Sequence, residues 1–209
     1  MQNQINKMEH KNKTAETKFG LHPVLAQRWS PRAFNGHAVE AEKIYRLLEA
    51  ARWSPSASNE QPWRFIIGFK GNETYQKLFD TFIEFNQLWT TTAPVLVLCI
   101  ADTMSTKNPG KPNPTYAYDL GQAVAHLSFQ AHADGLYVHQ MSGFDIQKAE
   151  LAFEVPDRFK VISAVAIGYI GDPEVLHPNL KELELADRER RPWIENVFVG
   201  RFGQSFSLI

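Results

Sequence analysis

The passage LLEAARWSPSASNEQPW, residues 47–63, changes character twice. Its first part closes an amphipathic helix. Ile44, Leu47, Leu48 and Ala51 fall at i, i+3, i+4 and i+7, one apolar stripe within a helix expected over 40–53. Pro55 disfavours helical geometry at Ser54, so the helix must stop there. In the polar loop that follows, Pro55 and Pro62 restrict the backbone, while Ser56, Ser58, Asn59 and Gln61 offer donors and acceptors around Ala57. Such a loop can surround a flat heteroaromatic ring whose edge alternates donors and acceptors; it can equally be a plain helix-to-strand connection. Trp63–Gly68 then reads as a strand.

The same logic extends along the chain. Residues 73–89 carry Tyr75, Leu78, Phe79, Phe82 and Trp89 on one helical side. Residues 94–101 form a β-branched apolar run of strand length. Pro109, Gly110, Pro112 and Pro114 make 104–114 a loop or flap. A long helix is expected over 115–134, with Tyr116, Leu120, Ala123, Leu127 and Ala131 buried, ending where Gly135 takes a left-handed cap. Residues 136–141 and 161–168 read as strands, 145–152 as a short helix, and 180–185 as one helical turn or two. Mixed helices and strands without a repeat give an α+β or α/β domain. The tail after Arg191 carries Trp193, Ile194, Val197, Phe198, Val199, Phe202, Phe206 and Leu208, an apolar set that needs a partner subunit or the chain's own core as cover.

Composition sets outer bounds. The chain has 209 residues with 22 basic against 23 acidic side chains, a net charge of −1, and is 44% hydrophobic and 12% aromatic. That balance excludes a disordered chain and lacks the basic surplus of a general nucleic-acid binder. No apolar run approaches the roughly 20 residues of a membrane helix. Cys99 is the single cysteine, which excludes an internal disulfide and a cysteine-rich zinc site. The histidines show no metal-ligand spacing, so no metal is expected. Residues 1–18 read as a flexible polar arm with Lys7, Lys11, Lys13 and Lys18, and 19–209 as one domain. Without a signal-type apolar segment, the expected location is the cytoplasm.

Three polar constellations carry the chemistry. Arg28-Trp29-Ser30-Pro31-Arg32 brackets a hydroxyl with two guanidiniums, planar forks suited to phosphate or to a carbonyl-imide edge. The 55–63 loop is the second. The third is Arg188-Glu189-Arg190-Arg191-Pro192, in which Arg188 and Arg190 point the same way if the segment is extended. Each alone is compatible with ordinary surface charge or turn chemistry. No two glycines lie two residues apart, so the G-x-G-x-x-G dinucleotide motif is absent.

In this order, the constellations resemble the FMN-dependent nitroreductase family from about His22 to Phe202. The most specific portions are RWSPRAF at 28–34 and the 47–63 passage. YDLGQA at 118–123, ADGL at 133–136, MSGF at 141–144 and AIGYIG at 166–171 also match. The resemblance implies an α+β sandwich, a central mostly antiparallel sheet flanked by helices, with the C-terminal tail exchanged in a homodimer. It implies that Arg28, Arg188 and Arg190 hold the FMN phosphate, and that Ser30 and the Trp29 backbone lie beside the phosphate and ribityl chain. Arg32 would face the N1/C2=O edge. Pro55, Ser56, Ala57, Ser58, Asn59 and Gln61 would bind the cofactor from the partner subunit. The N–H groups of Ser142 and Gly143 would meet N5 or O4, and Asn86 falls near a family position at the pyrimidine edge, although Trp89 stands where several members have lysine.

No side chain is implied as a catalytic nucleophile or acid; the flavin carries the chemistry, with Arg32 as electrostatic support. The expected cycle is ping-pong: NADH or NADPH gives hydride to the flavin, then a small nitroaromatic, quinone or related acceptor takes the electrons. Alternatives are a specialised branch (dehalogenase, azoline oxidase or flavin-degrading enzyme), a non-catalytic flavin-binding module, and an interaction protein working through its basic arm. No nucleic-acid or membrane partner is expected.

Overall fold

The computed structural model describes residues 13–206; the expectations for residues 1–12 and for Leu208 lie outside the described residues. Four strands form one antiparallel sheet: β1 (Trp63–Phe69), β2 (Val95–Asp102), β3 (Tyr137–Met141) and β4 (Phe159–Gly168), in the order β1-β2-β4-β3. The described helices are α1 (Pro23–Gln27), α2 (Ala41–Arg52), α3 (Glu73–Asp80), α4 (Glu84–Thr90), α5 (Tyr116–Ala133), α6 (Ile146–Ala152) and α7 (Pro178–Leu185).

β2 explains the layering. Every residue of it is buried, and side chains alternate across a strand. Val95, Val97, Cys99 and Ala101 join one core with Leu47 and Ala51 of α2 and Leu120, Ala123 and Leu127 of α5. Leu96, Leu98 and Ile100 join the other with Leu78 of α3, Trp89 of α4, Ala149 of α6 and Leu180 of α7. The strand is apolar at every position because helices cover both faces, giving the α+β sandwich expected from the sequence. Burial pushes the Cys99 thiol up to about 12, which leaves it an inert core residue.

α5 ends as its glycine predicts. Gly135 has φ 77°, Leu136 N–H donates to Ala131 O at 2.8 Å, and Gly135 N–H donates to His132 O at 3.1 Å. These are the two bonds of a Schellman cap.

One expected element divides. The helix anticipated over 73–89 is two helices, α3 and α4, separated at 81–83. Thr81 Oγ1 donates back to Leu78 O at 2.6 Å, and the chain there pairs with 143–145 instead of continuing the helix. Ile83 N–H donates to Gly143 O at 3.1 Å, Asp145 N–H donates to Thr81 O at 2.8 Å, and Phe82 bridges Phe144. Tertiary pairing overrides helical periodicity at that point, and it brings α4 against the segment after β3.

The tail to Phe206 folds mainly on itself. Phe198 bridges Ser205, Trp193 meets Phe206 edge-on at 5.8 Å, and Phe202 is 92% exposed. The chain's own core therefore does not cover it.

Candidate functional site

The first and third constellations come together. Helix α1, with Pro23 at its start, delivers Arg28, and α7 delivers Arg188 and Arg190 just beyond its end. Arg188 Nη1 donates to Lys13 O at 2.6 Å and to Ala26 O at 2.7 Å, while Lys13 Nζ donates to Ala186 O, so both segments are stitched together. Arg28 Nη1 reaches Ser30 Oγ at 3.5 Å. Burial first, and the neighbouring Arg190 second, push the Arg28 guanidinium below its ordinary value. Burial, Arg28 and Arg190 do the same to Arg188. Two partly desolvated guanidiniums with the exposed Arg190 beside them favour an anion, and guanidinium forks match phosphate oxygens. Trp29 stands beside this group, with Lys13 Nζ 5.2 Å from its ring centre and the Tyr137 ring edge-on at 6.3 Å.

Arg32 is held differently. Its backbone N–H donates to both oxygens of Glu184, at 3.0 and 2.9 Å, and Ala33 N–H donates to the same carboxylate at 3.1 Å. On the other side, Pro31 O lies 2.9 Å from His139 Nδ1. Burial drives the His139 imidazole down to about 4, so at neutral pH the ring is uncharged and its Nδ1–H donates to that carbonyl. The guanidinium itself is left available. Arg32 Nε is buried without a hydrogen-bond partner, and Cζ lies 6.0 Å from the Phe85 ring centre.

A continuous chain of contacts runs from Pro31, the residue before Arg32, to Gly143. His139 lies against Trp89 at 4.5 Å, Trp89 Nε1 donates to Asn86 Oδ1 at 3.1 Å, and Asn86 Nδ2 donates to Gly143 O at 2.8 Å. A Cβ on Gly143 would lie 2.5 Å from Asn86 Nδ2, so glycine is required for that approach. Asn86 is buried, with both ends of its amide engaged inside the protein. Among the described residues, the N–H groups of Ser142 and Gly143 donate to no acceptor.

The 55–61 loop is elsewhere in the chain's bonding. Ser58, Asn59 and Gln61 have φ of 51°, 55° and 47°, left-handed positions, on either side of a right-handed Glu60, that non-glycine residues adopt at a cost. Its own cross-links sustain it: Gln61 N–H to Ser56 Oγ at 3.1 Å, Asn59 N–H to Ser56 O at 3.1 Å, and Gln61 Nε2 to Asn59 Oδ1 at 3.0 Å. Ala57 N–H donates to buried Asp119 of α5 at 3.2 Å. Glu60 clamps the 104–114 flap, accepting from Ser105 Oγ, from Thr106 N–H at 2.7 Å and from Lys107 N–H at 3.4 Å. These bonds, led by the Ser105 and Thr106 hydroxyls, pull the Glu60 carboxyl down to about 2. Loop and flap line a half-open cavity of about 240 Å³. Among the described residues, no hydrogen bond, ion pair or ring contact joins this loop to the arginine group.

Glu184, His139, Glu60 and Asp119 are supporting residues to which the sequence assigned no role, although Asp119 lies in the YDLGQA match and Glu60 in the 47–63 passage. Only Glu184 carried a signal: it sits four residues after buried Leu180, on the inward face of α7. An acid on an apolar face asks for a partner.

The model of the nitroreductase family matches residues 25–88 and 70–169. The chain belongs to the nitroreductase family. A solved oxidoreductase containing FMN is 36% identical and superposes with a TM-score of 0.86, covering 95% of this chain and all of that one. The 5,6-dimethylbenzimidazole synthase of Rhodospirillum rubrum is 27% identical over 196 residues, 83% of this chain and 91% of the relative. A relative from Archaeoglobus fulgidus, whose name provisionally assigns it to the NADH dehydrogenase/NAD(P)H nitroreductases, is 28% identical over 153 residues, 71% of this chain and 84% of the relative. Among the described residues no cluster of His, Cys, Asp or Glu could hold a metal, and no helix is long and apolar enough to cross a membrane. The nitroreductase fold thus presents here an arginine group, a free pair of N–H groups linked to the Pro31–Arg32 segment through His139, Trp89 and Asn86, and a strained polar loop that is not bonded to the arginine group.

Proposed function

We propose that this nitroreductase-family protein is an FMN-dependent oxidoreductase that takes electrons from NADH or NADPH and reduces small acceptors of the nitroaromatic or quinone type. The observation that carries the reading is the gathering of Arg28, Arg188 and Arg190, the first two depressed by burial and then by their like-charged neighbours, together with an Arg32 whose Nε is buried and unpaired. A phosphate monoester relieves the repulsion in the first group, and a carbonyl-imide edge satisfies the second. The donor set therefore fits FMN.

When bound, FMN supplies hydride acceptance and release at its ring. The chain's own residues do the rest. Arg28, Arg188 and Arg190 hold the phosphate, with Ser30 and the Trp29 backbone beside it. Arg32 places a fixed cation at the edge where negative charge accumulates on reduction, which favours the reduced state. The Ser142 and Gly143 N–H groups offer donors to the ring's N5 and O4 side, and Asn86 orients them through Gly143 O.

The second half of the cradle comes from a second copy of the chain in this reading. The 55–61 loop, with Pro55, Ser56, Ala57, Ser58, Asn59 and Gln61, closes over the cofactor of the other protomer. Exposed Trp53 and Leu25, an apolar cavity of about 560 Å³ beside them, and the exposed tail support a homodimer with exchanged C-terminal segments.

The test is direct. Purified protein is expected to be yellow, or to turn so with added FMN, and to bleach anaerobically with NADH or NADPH. Protein that stays colourless with FMN overturns the reading; bound flavin that neither nucleotide bleaches makes it a binding module. The likeness to a 5,6-dimethylbenzimidazole synthase favours a second reading, a specialised branch that consumes its own reduced flavin. Aerobic incubation with NADPH, followed by chromatography of the flavin pool, separates the two.

A further inference from the structure

We propose that Glu184 is the positioning residue of the arginine site. It locks the Arg32 backbone so that the guanidinium stays free for the flavin edge, and its charge tempers the field that Arg32 projects there. The proposal rests on the FMN reading of the site.

Three features of the geometry carry it. First, the carboxylate engages the wrong part of Arg32 for an ordinary ion pair. Both oxygens accept from backbone N–H groups, those of Arg32 and Ala33, and the salt bridges of the described residues include none between Glu184 and Arg32. The backbone is fixed while Arg32 Nε keeps its buried, unmet donor. Second, Glu184 is 1% exposed. Burying a carboxylate is costly, and two backbone N–H groups could be met by a neutral acceptor at lower cost. What a carboxylate adds is negative charge beside a cation. Third, Glu184 links the two ends of the site. It lies on α7, four residues before Arg188, and it grips the segment four residues after Arg28. A displacement of α7 therefore moves the phosphate-binding arginines and Arg32 together.

The consequences separate by substitution. Glu184→Gln preserves shape but removes the charge, so Arg32 stabilises the reduced flavin more strongly. The ratio of reduced to oxidised FMN binding is expected to rise about tenfold, which is about 30 mV for a two-electron couple. Glu184→Asp keeps the charge but falls short of the N–H groups. It is expected to bind FMN about tenfold more weakly, with its potential close to that of the wild type. The measurements are midpoint potential by dye equilibration, FMN affinity by fluorescence quenching, and Tm of the flavin-free protein.

A Glu184→Gln protein whose potential matches the wild type, with only its Tm lowered, overturns the proposal in favour of a purely structural clamp. If Glu184→Gln does not fold, Glu184→Asp decides: FMN affinity equal to that of the wild type overturns the positioning role. Wild-type protein that takes up no FMN overturns the site reading itself, and this proposal with it. Wild-type protein that holds FMN while the variants behave as structural lesions overturns only the proposal.

Discussion

The arginine group and the 55–61 loop solve opposite problems. The arginine group draws Arg28, Arg32, Arg188 and Arg190 from the two ends of the described chain and holds them by long-range bonds, such as Arg188 to Ala26 O and Glu184 to Arg32 N–H. Its tension is electrostatic: Arg28 and Arg188 are partly desolvated next to each other and to the exposed Arg190, and an anion relieves that repulsion. The loop draws all its residues from one short stretch and holds a strained backbone by local bonds. Its tension is conformational, present with or without a ligand. One region is therefore completed by binding, whereas the other is pre-shaped before anything binds.

The sharpest way to break that contrast is to remove charge from the first region. Arg28→Ala is expected to weaken FMN binding by about a hundredfold, because charge-assisted bonds are worth about 1.5–3 kcal/mol. Arg190, which is exposed and, among the described residues, hydrogen-bonded only to Glu189 O, is the cleaner probe. Arg190→Ala should weaken FMN about tenfold with Tm of the flavin-free protein unchanged. Fluorescence titration gives the first quantity and calorimetry the second. Equal FMN affinity in both variants would remove the arginines from the site.

Splitting the ligand splits the regions. Inorganic phosphate alone should raise the Tm of flavin-stripped protein, since saturation at a hundred times the dissociation constant stabilises by about 2.7 kcal/mol. At this chain length that corresponds to about 2–4 °C per kcal/mol. Arg28→Ala should abolish the shift. Riboflavin, which lacks the phosphate, should bind at least tenfold more weakly than FMN and be indifferent to Arg190→Ala. A riboflavin affinity equal to that of FMN would mean that the arginines hold something else.

How much of this the sequence could carry depends on the range of the cause. The buried alternation of β2 was legible because a strand covered on both faces must be apolar throughout, and Gly135 announced its helix end because few residues adopt its φ. The two arginine constellations were legible as residue types, since a fork of donors has few uses. The break between α3 and α4 was not, because its cause is pairing with 143–145, distant in sequence, while Thr81 and Phe82 are individually compatible with helix. Nor was the role of Asn86, whose amide is engaged by Gly143 and Trp89. The partners of Glu184 were hidden for the same reason: its place on the inward face of α7 marks a buried acid, but nothing in the sequence says which backbone groups that acid will meet.

Relieving strain in the loop should have a smaller effect. Ser58→Gly removes a left-handed penalty of about 1–2 kcal/mol but adds unfolded-state entropy of about 0.4–1 kcal/mol. The net expectation is a gain of about 0.5 kcal/mol, seen as a slightly higher Tm, with FMN affinity within twofold. A loss of more than about 1 kcal/mol would show that the Ser58 side chain stabilises the loop beyond its local bonds.

The smallest effect is confined to the flap and follows from the sign of one shift. Glu60 is held near 2 in the folded protein against an ordinary carboxylate value of 4.5. A depressed folded pKa contributes stability above the unfolded value and loses it as pH falls through the folded one. Flap attachment is therefore complete above about 4.5 and disappears as pH falls towards about 2. Amide exchange at Thr106 and Lys107, whose N–H groups Glu60 accepts, reads this directly, with far-UV circular dichroism marking the range where the fold persists. Their protection should fall across that window, and in Glu60→Gln it should be low and independent of pH. Arginines do not titrate there, and the Arg28 N–H donates to Val24 O at 3.1 Å, so the exchange of Arg28 should change little over the same range. If both regions lost protection together, flap and arginine group would be one cooperative unit, and the contrast between a site completed by binding and a site shaped beforehand would not hold.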